Sequence, residues 1–234
     1  MSVEQPASPG LIKMVERALG NSLKPGELGV VLARAGVGKT ACLTHIALEQ
    51  LLQGKAVLHV CIGGIPDKIK VWYKEFLKNL NESLPFEDSA KLQDQIEPLR
   101  FILAYLHQTF SPEKLEQSLS TLRDQAKFYP AMVVLDGLDF DQISRPMIEM
   151  LGDFARKQSV SLWMSARTHR HINEANERGI PYPCHELDDL FQAIVLLEPT
   201  PDAIRVKVLK HEDQYQAEHA AVFLNAQTYL LMKD

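Results

Sequence analysis

The residues with the clearest chemical meaning are the eight at positions 33–40, which read ARAGVGKT. Their spacing matches the phosphate-binding motif G-x-x-x-x-G-K-[ST] at Gly38, Lys39 and Thr40, whereas Ala33 stands where the first glycine belongs. The first glycine mainly permits a tight turn, so alanine is compatible with the motif if φ at position 33 is negative. Gly38 lies next to the phosphates in such loops, and we expect it to be indispensable.

Each residue type in this motif has a physical role in holding a nucleotide. Backbone N–H groups of the loop and of the first helical turn cradle phosphates, and the helix dipole favours negative charge there. Lys39 would reach the β- and γ-phosphates, and the Thr40 hydroxyl would ligate Mg²⁺. The alternative is a chance Gly-Lys-Thr in a helix-opening loop. The predicted nucleotide-binding residues are Arg34, Ala35, Gly36, Val37, Gly38, Lys39, Thr40 and Ala41.

A second candidate motif consists of two aspartates that follow an apolar segment later in the chain. The apolar residues 132–135 precede Asp136, and the chain continues through Gly-Leu to Asp139. An aspartate at the carboxyl end of a strand can hold magnesium, usually through water, which is the Walker B pattern. The predicted metal ligands are therefore Thr40 and Asp136. A plain turn residue is the alternative for Asp136, and Asp139 either assists the site or only caps the turn.

The segments around these residues alternate between strand and helix, which predicts a doubly wound, mainly parallel α/β sheet with helices on both faces. We predict one domain over 11–234 after a flexible leader at 1–10, with the polar stretch 81–98 as a surface excursion. Helices are predicted at 11–20, 40–54, 66–80, 111–128 and 145–159. Strands are predicted within 24–33 and at 56–62, 99–106, 131–140 and 160–166, followed by a late hairpin of 192–199 and 203–210.

Composition limits the partners and the compartment. The 234-residue chain has 46% hydrophobic and 24% charged residues, which are ordinary values for a globular domain. Its net charge of −5 disfavours nucleic acid as a partner, although a local basic patch would allow it. The three cysteines have no C-x-x-C spacing, which favours a reducing compartment. Without a targeting leader or a long apolar run, the sequence predicts a cytoplasmic protein with no membrane insertion.

At its two chemically meaningful segments the sequence resembles a known family. Residues 24–62 and 131–140 are similar to the RecA-like P-loop ATPases, especially the branch with KaiC and the DnaB-type replicative helicases. The order of elements agrees over residues 11–210, including the late hairpin. The resemblance implies a RecA-like fold, ATP as ligand, Mg²⁺ as cofactor and a ring or filament of subunits. It also implies a protein partner or self-assembly through RecA-like interfaces.

One departure from that family concerns the catalytic base. In the family, the strand after the P-loop ends in one or two glutamates, one of which activates the attacking water. Here Gly63 and Gly64 occupy those positions. Glycine can neither accept a proton nor orient a water, and losing a positioned base costs about 10²–10⁴ in rate.

A second departure concerns the residues that the family extends to a neighbouring subunit. The family often carries a lysine and an arginine, two residues apart, which reach the neighbour's γ-phosphate. This chain keeps Lys210 but has Glu212 at the arginine position. An arginine finger in related phosphoryl-transfer systems is worth about 10³–10⁵ in rate. The two departures together predict a nucleotide-binding protein with weak or absent hydrolysis.

Ser165 ends a predicted strand where the family places a polar sensor of the γ-phosphate. The alternative is a hydroxyl that satisfies backbone groups at the strand end. The candidate catalytic residues are therefore Asp139, Ser165 and Lys210.

Other polar groups carry weaker signals. Lysines at 70, 74 and 78 predict either a solvated helix face or a basic surface. His169, His171 and the His185-Glu186 pair lie in a polar stretch without metal-ligand spacing. The stretch 167–191 itself is the candidate interaction surface.

Three functions remain open from the sequence. The first is an ATP-binding switch or assembly factor. The second is an active ATPase in recombination or helicase-type work, with Asp139, Glu75 or a partner's residue as the base. The third is a small-molecule kinase, for which Arg167, Arg170 and Arg178 would have to form a basic lid.

Overall fold

The computed structural model describes residues 13–82, 92–215 and 222–232. Within them the helices include α1 (Met14–Leu19), α2 (Lys39–Leu51), α3 (Pro66–Asn81), α4 (Pro112–Ala126) and α5 (Arg145–Gln158), and residues 92–96 are also helical. The strands are β1 (Leu28–Ala33), β2 (Val57–Ile62), β3 (Arg100–Tyr105), β4 (Met132–Asp136), β5 (Ser161–Arg167), β6 (Ala193–Pro199), β7 (Ala203–His211), β8 (Gln214–Tyr215) and β9 (Val222–Asn225). Short 3-10 turns occupy Glu97–Leu99, His107–Thr109 and Asp188–Leu190.

The central strands consist of nearly uninterrupted apolar residues. β1 reads LGVVLA and β2 reads VLHVCI, and every residue of both strands is buried. A strand covered by helices on both faces must present apolar side chains in both directions, so alternation with polar residues disappears. This pattern is what makes the strands recognisable from the sequence.

Within the described residues, one nine-stranded sheet has the order β3-β2-β4-β5-β1-β6-β7-β8, with β9 also paired to β7. The strands from β1 to β6 run parallel to their neighbours in that set. β7 then runs antiparallel to β6, β8 and β9. Because parallel strands end at one side of a sheet, the segments after β1, β2, β4 and β5 meet there. We call this side the carboxyl edge.

Two apolar layers cover the sheet, one on each face. Side chains of β1 alternate between them, with Val31 and Ala33 in one layer and Val30 and Leu32 in the other. Helices α1, α2 and α3 pack in the first layer, together with the segment 229–231. Helices α4 and α5 pack in the second. This arrangement confirms the predicted α/β class with a mostly parallel sheet and helices on both faces.

The differences from the sequence prediction concern the ends of the chain. The hairpin β6–β7 was predicted, whereas the short strands β8 and β9 that extend it were not. The first helix begins at Met14, later than predicted. The leader 1–10 and half of the excursion 81–98, residues 83–91, lie outside the described residues. No helix in the described ranges combines the length and apolarity needed to cross a membrane.

Candidate functional site

The strand–loop–helix unit at β1 explains why alanine is tolerated at position 33. Ala33 is the last residue of β1, where it pairs with Arg167 of β5. The backbone φ of Ala33 is not positive. Its carbonyl accepts a 3.0 Å hydrogen bond from the Thr168 N–H. The strand therefore continues through this position with ordinary extended geometry. The turn begins afterwards, in the glycine-rich loop formed by residues 34–38.

The two glycines of that loop are both required by backbone geometry. Gly36 has φ +79° and Gly38 has φ +102°, and L-residues other than glycine rarely adopt such angles. Gly38 is also the residue before α2. The first N–H groups of α2 have no partners inside the helix, and such groups favour an anion at a helix N-terminus.

Lys39 lies against the loop that it would serve. Its Nζ donates to the carbonyls of Ala33 and Arg34, at 3.2 Å each. Burial lowers the pKa of Lys39, the nearby Asp136 charge opposes that shift, and Arg167 adds to it. An incoming anion would therefore offer Lys39 a stronger partner than two neutral carbonyls.

Thr40, Asp136 and Ser165 form one hydrogen-bonded group. The Thr40 hydroxyl donates to Asp136 Oδ2 at 2.6 Å, and the Ser165 hydroxyl donates to Asp136 Oδ1 at 2.8 Å. Ser165 Oγ also accepts the Gly137 N–H at 3.1 Å. The structure thus brings the end of β4, the end of β5 and the start of α2 together around one carboxylate.

The oxygens of Thr40 and Asp136 are hard ligands of the kind that Mg²⁺ prefers. No group of three or more His, Cys, Asp or Glu side chains suited to a metal ion occurs in the described part of the chain. A magnesium ion here would therefore need further oxygens from a nucleotide and water, as is usual for Mg²⁺ at phosphate sites. The donor set fits that kind of shared site.

A cavity of about 330 Å³ at the carboxyl edge is lined by some of the predicted residues, namely Ala35, Lys39, Asp136, Asp139 and Ser165. Asp139 lines it but is exposed, and its carboxylate accepts a hydrogen bond from the Asp141 N–H rather than contacting Asp136. Glu75, the alternative base, is exposed on α3 and does not line the cavity. The chemically functional side chains in its wall are Lys39, His107, Asp136, Asp139, Asp141, Ser165 and Arg167.

Lys210 and Glu212 lie away from this cavity. Lys210 pairs with Ile194 near the start of β6, toward the opposite edge of the sheet. Its Nζ is buried and donates to the Asp188 carbonyl at 2.8 Å, and burial lowers its pKa. Glu212 is exposed, 3.8 Å from Lys24 Nζ. The structure therefore does not bring Lys210 to the other candidate catalytic residues.

Gly63 and Gly64 directly follow β2, beside an imidazole that the sequence motifs did not indicate. Gly63 has φ +65°, and a Cβ built on it would lie 1.9 Å from His107 Nε2. A Cβ on Gly64 would lie 2.9 Å from Cys61 Sγ. His107 follows β3, and β3 is the parallel neighbour of β2. The signal available in the sequence was a histidine directly after a predicted strand.

Arg167 is held at the mouth of the cavity by Asp141. Its guanidinium donates to Asp141 Oδ2 at 3.2 Å, while His169 Nε2 lies 2.8 Å from that oxygen and the Tyr182 hydroxyl donates to Oδ1 at 3.0 Å. Desolvation raises the pKa of Asp141, but the hydrogen bonds from Tyr182, His169 and Arg167 outweigh it and lower the pKa below its usual value. Arg167 therefore lines the cavity as a member of an ion pair with Asp141.

The segment 167–191, predicted as an interaction surface, is anchored by the buried carboxylate of Asp188. Asp188 accepts hydrogen bonds from Asn176 Nδ2 at 3.0 Å, Arg178 at 2.9 Å and the Tyr215 hydroxyl at 2.8 Å. These contacts hold Arg178 at a position in the segment that is distant from Arg167.

On α3, the three lysines at 70, 74 and 78 are exposed, and Lys70 pairs with Asp67 at 2.9 Å.

The fold and the site define an α/β protein with a mostly parallel sheet and a polar cavity at the carboxyl edge. A scan against protein-family models finds no match, and a search of the curated proteins finds none either. Any assignment of function therefore depends on the chemistry of the site.

Proposed function

We propose that this chain is an ATP-binding protein of RecA/KaiC-like type that acts as a nucleotide-dependent switch or assembly factor, with weak hydrolysis. One observation carries the proposal: the Thr40 hydroxyl lies 2.6 Å from Asp136, with Lys39 beside them at the N-terminus of α2. A hydroxyl, a carboxylate, a lysine and a helix N-terminus at one point are the groups needed for a nucleotide–magnesium complex.

In this proposal the phosphates bind the N–H groups of the glycine-rich loop and the first turn of α2. Lys39 transfers its hydrogen bonds from the Ala33 and Arg34 carbonyls to phosphate oxygens. Thr40 and Asp136 hold the magnesium ion, whose chemistry is to neutralise phosphate charge.

Three features support weak hydrolysis. No carboxylate follows β2, because Gly63 and Gly64 stand there. Lys210 is buried against Asp188, and Glu212 would repel a neighbour's phosphate. A switch needs a bistable element that senses the γ-phosphate, and the Asp136–Ser165–Gly137 hydrogen bonds offer one that connects the site to the segment after β4.

The test is Lys39→Ala with calorimetric titration of ATP and Mg²⁺. We expect wild-type protein to bind and Lys39→Ala to lose at least tenfold in affinity, because a charge-assisted contact to phosphate disappears. Lys55→Ala is the matched control, since Lys55 is an exposed lysine just after α2 and should leave affinity unchanged. Equal affinities for all three proteins would contradict the proposal.

A small-molecule kinase is the second candidate, favoured by a neighbouring cavity of about 460 Å³. This cavity shares His107, Leu138 and Asp139 with the first and could hold a phosphoryl acceptor beside the γ-phosphate. Incubation of the protein with γ-labelled ATP and a mixture of cell metabolites separates the candidates. Label in an organic product would favour the kinase, and label retained on ATP or released as phosphate would favour the switch.

A further inference from the structure

The space beside Gly63 is filled by the ring of His107. A Cβ at position 63 would lie 1.9 Å from Nε2 and 2.1 Å from Cδ2 of that ring, which is far inside contact distance. The Gly63 N–H also donates to the Tyr105 carbonyl at 2.8 Å, which ties the end of β2 to the end of β3. The absence of a side chain at Gly63 is therefore what lets the imidazole lie over the end of β2.

The other polar side chains of the cavity are already engaged or are poor bases. Both Asp136 oxygens accept hydroxyl hydrogen bonds, from Thr40 and Ser165. Asp141 accepts three side-chain hydrogen bonds and its pKa is lowered, which weakens it as a base. Lys39 and Arg167 are cations.

His107 and Asp139 remain. The His107 ring is exposed and has no hydrogen-bond partner within the described residues, whereas Asp139 Oδ1 accepts the Asp141 N–H at 3.3 Å. An imidazole is also better matched to proton transfer near neutral pH than an ordinary carboxylate. The cavity that Lys39 lines therefore also offers one imidazole that is open to water.

We propose that His107 is the general base of a slow ATP hydrolysis in this cavity, an inference that rests on the proposed function. The neutral imidazole accepts a proton from a water molecule as the water oxygen forms a bond to the γ-phosphorus. The bond between that phosphorus and the β–γ bridging oxygen breaks, and ADP leaves with the electron pair. ADP and inorganic phosphate are the products, and the imidazolium returns its proton to solvent.

The experiment combines binding with single-turnover hydrolysis of γ-labelled ATP by the full chain. We expect His107→Gln to keep the affinity for ATP within about twofold and to lower the hydrolysis rate by about 10²-fold or more, the usual contribution of a positioned base. Added imidazole should restore part of the rate to His107→Gly and none to Lys39→Ala. A structural role for His107 would not respond to imidazole in this way.

Gln108→Ala is the matched control, since Gln108 is exposed next to His107 and does not line the cavity with Lys39. It should hydrolyse ATP at the wild-type rate. Bound ATP with an unchanged rate in His107→Gln, or no wild-type turnover above the Lys39→Ala blank, would overturn the role of His107 and leave the proposed function standing. A wild-type protein that binds no ATP would overturn both.

Discussion

At the residue scale, two aspartates five positions apart have opposite electrostatic surroundings. Asp136 accepts hydrogen bonds from neutral hydroxyls, so its negative charge remains available to a cation. Asp141 instead is paired with the Arg167 guanidinium, which compensates its charge, and lies within hydrogen-bond distance of the His169 ring. The same side chain is thus suited to metal binding at one position and to holding an arginine at the other.

Asp136→Asn tests this distinction. Asparagine keeps the shape of the side chain but removes its charge, so we expect ATP affinity in Mg²⁺ to fall about 10–100-fold, and affinity in EDTA to change much less. Asp141→Asn makes the same chemical change in the same cavity and should show no such dependence on the metal. Calorimetric titrations with and without Mg²⁺ measure both. Equal weakening of Asp136→Asn in both conditions would make its role purely structural.

At the element scale, the glycine-rich loop is held between β1 and the segment 222–232. The Tyr229 hydroxyl from that segment donates to the Val37 carbonyl at 2.9 Å. A Cβ on Gly38 would lie 2.1 Å from the Tyr229 hydroxyl oxygen, whereas a Cβ on Gly36 would meet nothing within 4 Å. The two glycines are therefore constrained differently. Gly36 is constrained only by its positive φ, whereas Gly38 is constrained by its positive φ and by the nearby Tyr229 side chain.

Alanine at each glycine separates these constraints. Gly36→Ala should cost about 1–2 kcal/mol of unfolding free energy from left-handed backbone strain, while Gly38→Ala should cost several kcal/mol because packing strain adds to it. Urea unfolding measures both. Tyr229→Ala in the Gly38→Ala background should recover part of the extra loss. Equal costs at the two positions would show that the Tyr229 contact does not constrain the loop.

At the scale of the whole molecule, the layer between α2, α3 and the sheet encloses ionisable groups. His45 and His59 are fully buried, and desolvation lowers the pKa of each to about 4. Glu49 is buried at the start of α1, where it accepts the Val15 and Glu16 N–H groups, and desolvation raises its pKa to about 7. The folding free energy must therefore depend on pH well within the neutral-to-acid range.

The histidines and Glu49 contribute with opposite signs. A histidine whose folded pKa is about 4 binds fewer protons than in the unfolded chain between pH 6.5 and 4, so stability falls as the pH falls through that window. Glu49, with a folded pKa of about 7, binds more protons than when unfolded between pH 4.5 and 7, so its contribution falls as the pH rises.

Urea unfolding at pH 7, 6 and 5 measures the balance. We expect His45→Gln to flatten the loss of stability on acidification, by on the order of 1 kcal/mol or more. Glu49→Gln should steepen it, because the opposing group is gone. The same slope in wild type and His45→Gln would show that the buried imidazole is not held neutral.

Much of the fold was predictable because it depends on local patterns. Apolar strands such as β1 and β2 and the amphipathic α3 carry their signals within single segments, and the confirmed mostly parallel α/β class follows from their alternation. β8 and β9 are only two and four residues long, and such short edge strands have no periodicity to detect. The chain positions of Lys39, Thr40 and Asp136 were predictable because a motif fixes them. His107, Tyr229 and the Arg167–Asp141 pair were not, because their contacts depend on strand order.

The position of β1 in the sheet has a consequence for how this protein is made. β1 ends at Ala33, yet its two neighbours, β5 and β6, begin only at Ser161 and Ala193. At about 5–20 residues per second, a ribosome needs on the order of ten seconds to supply the first of them. During that time this apolar, fully buried strand has neither of its neighbours to pair with, so a nascent chain stalled between these points should recruit chaperones or aggregate.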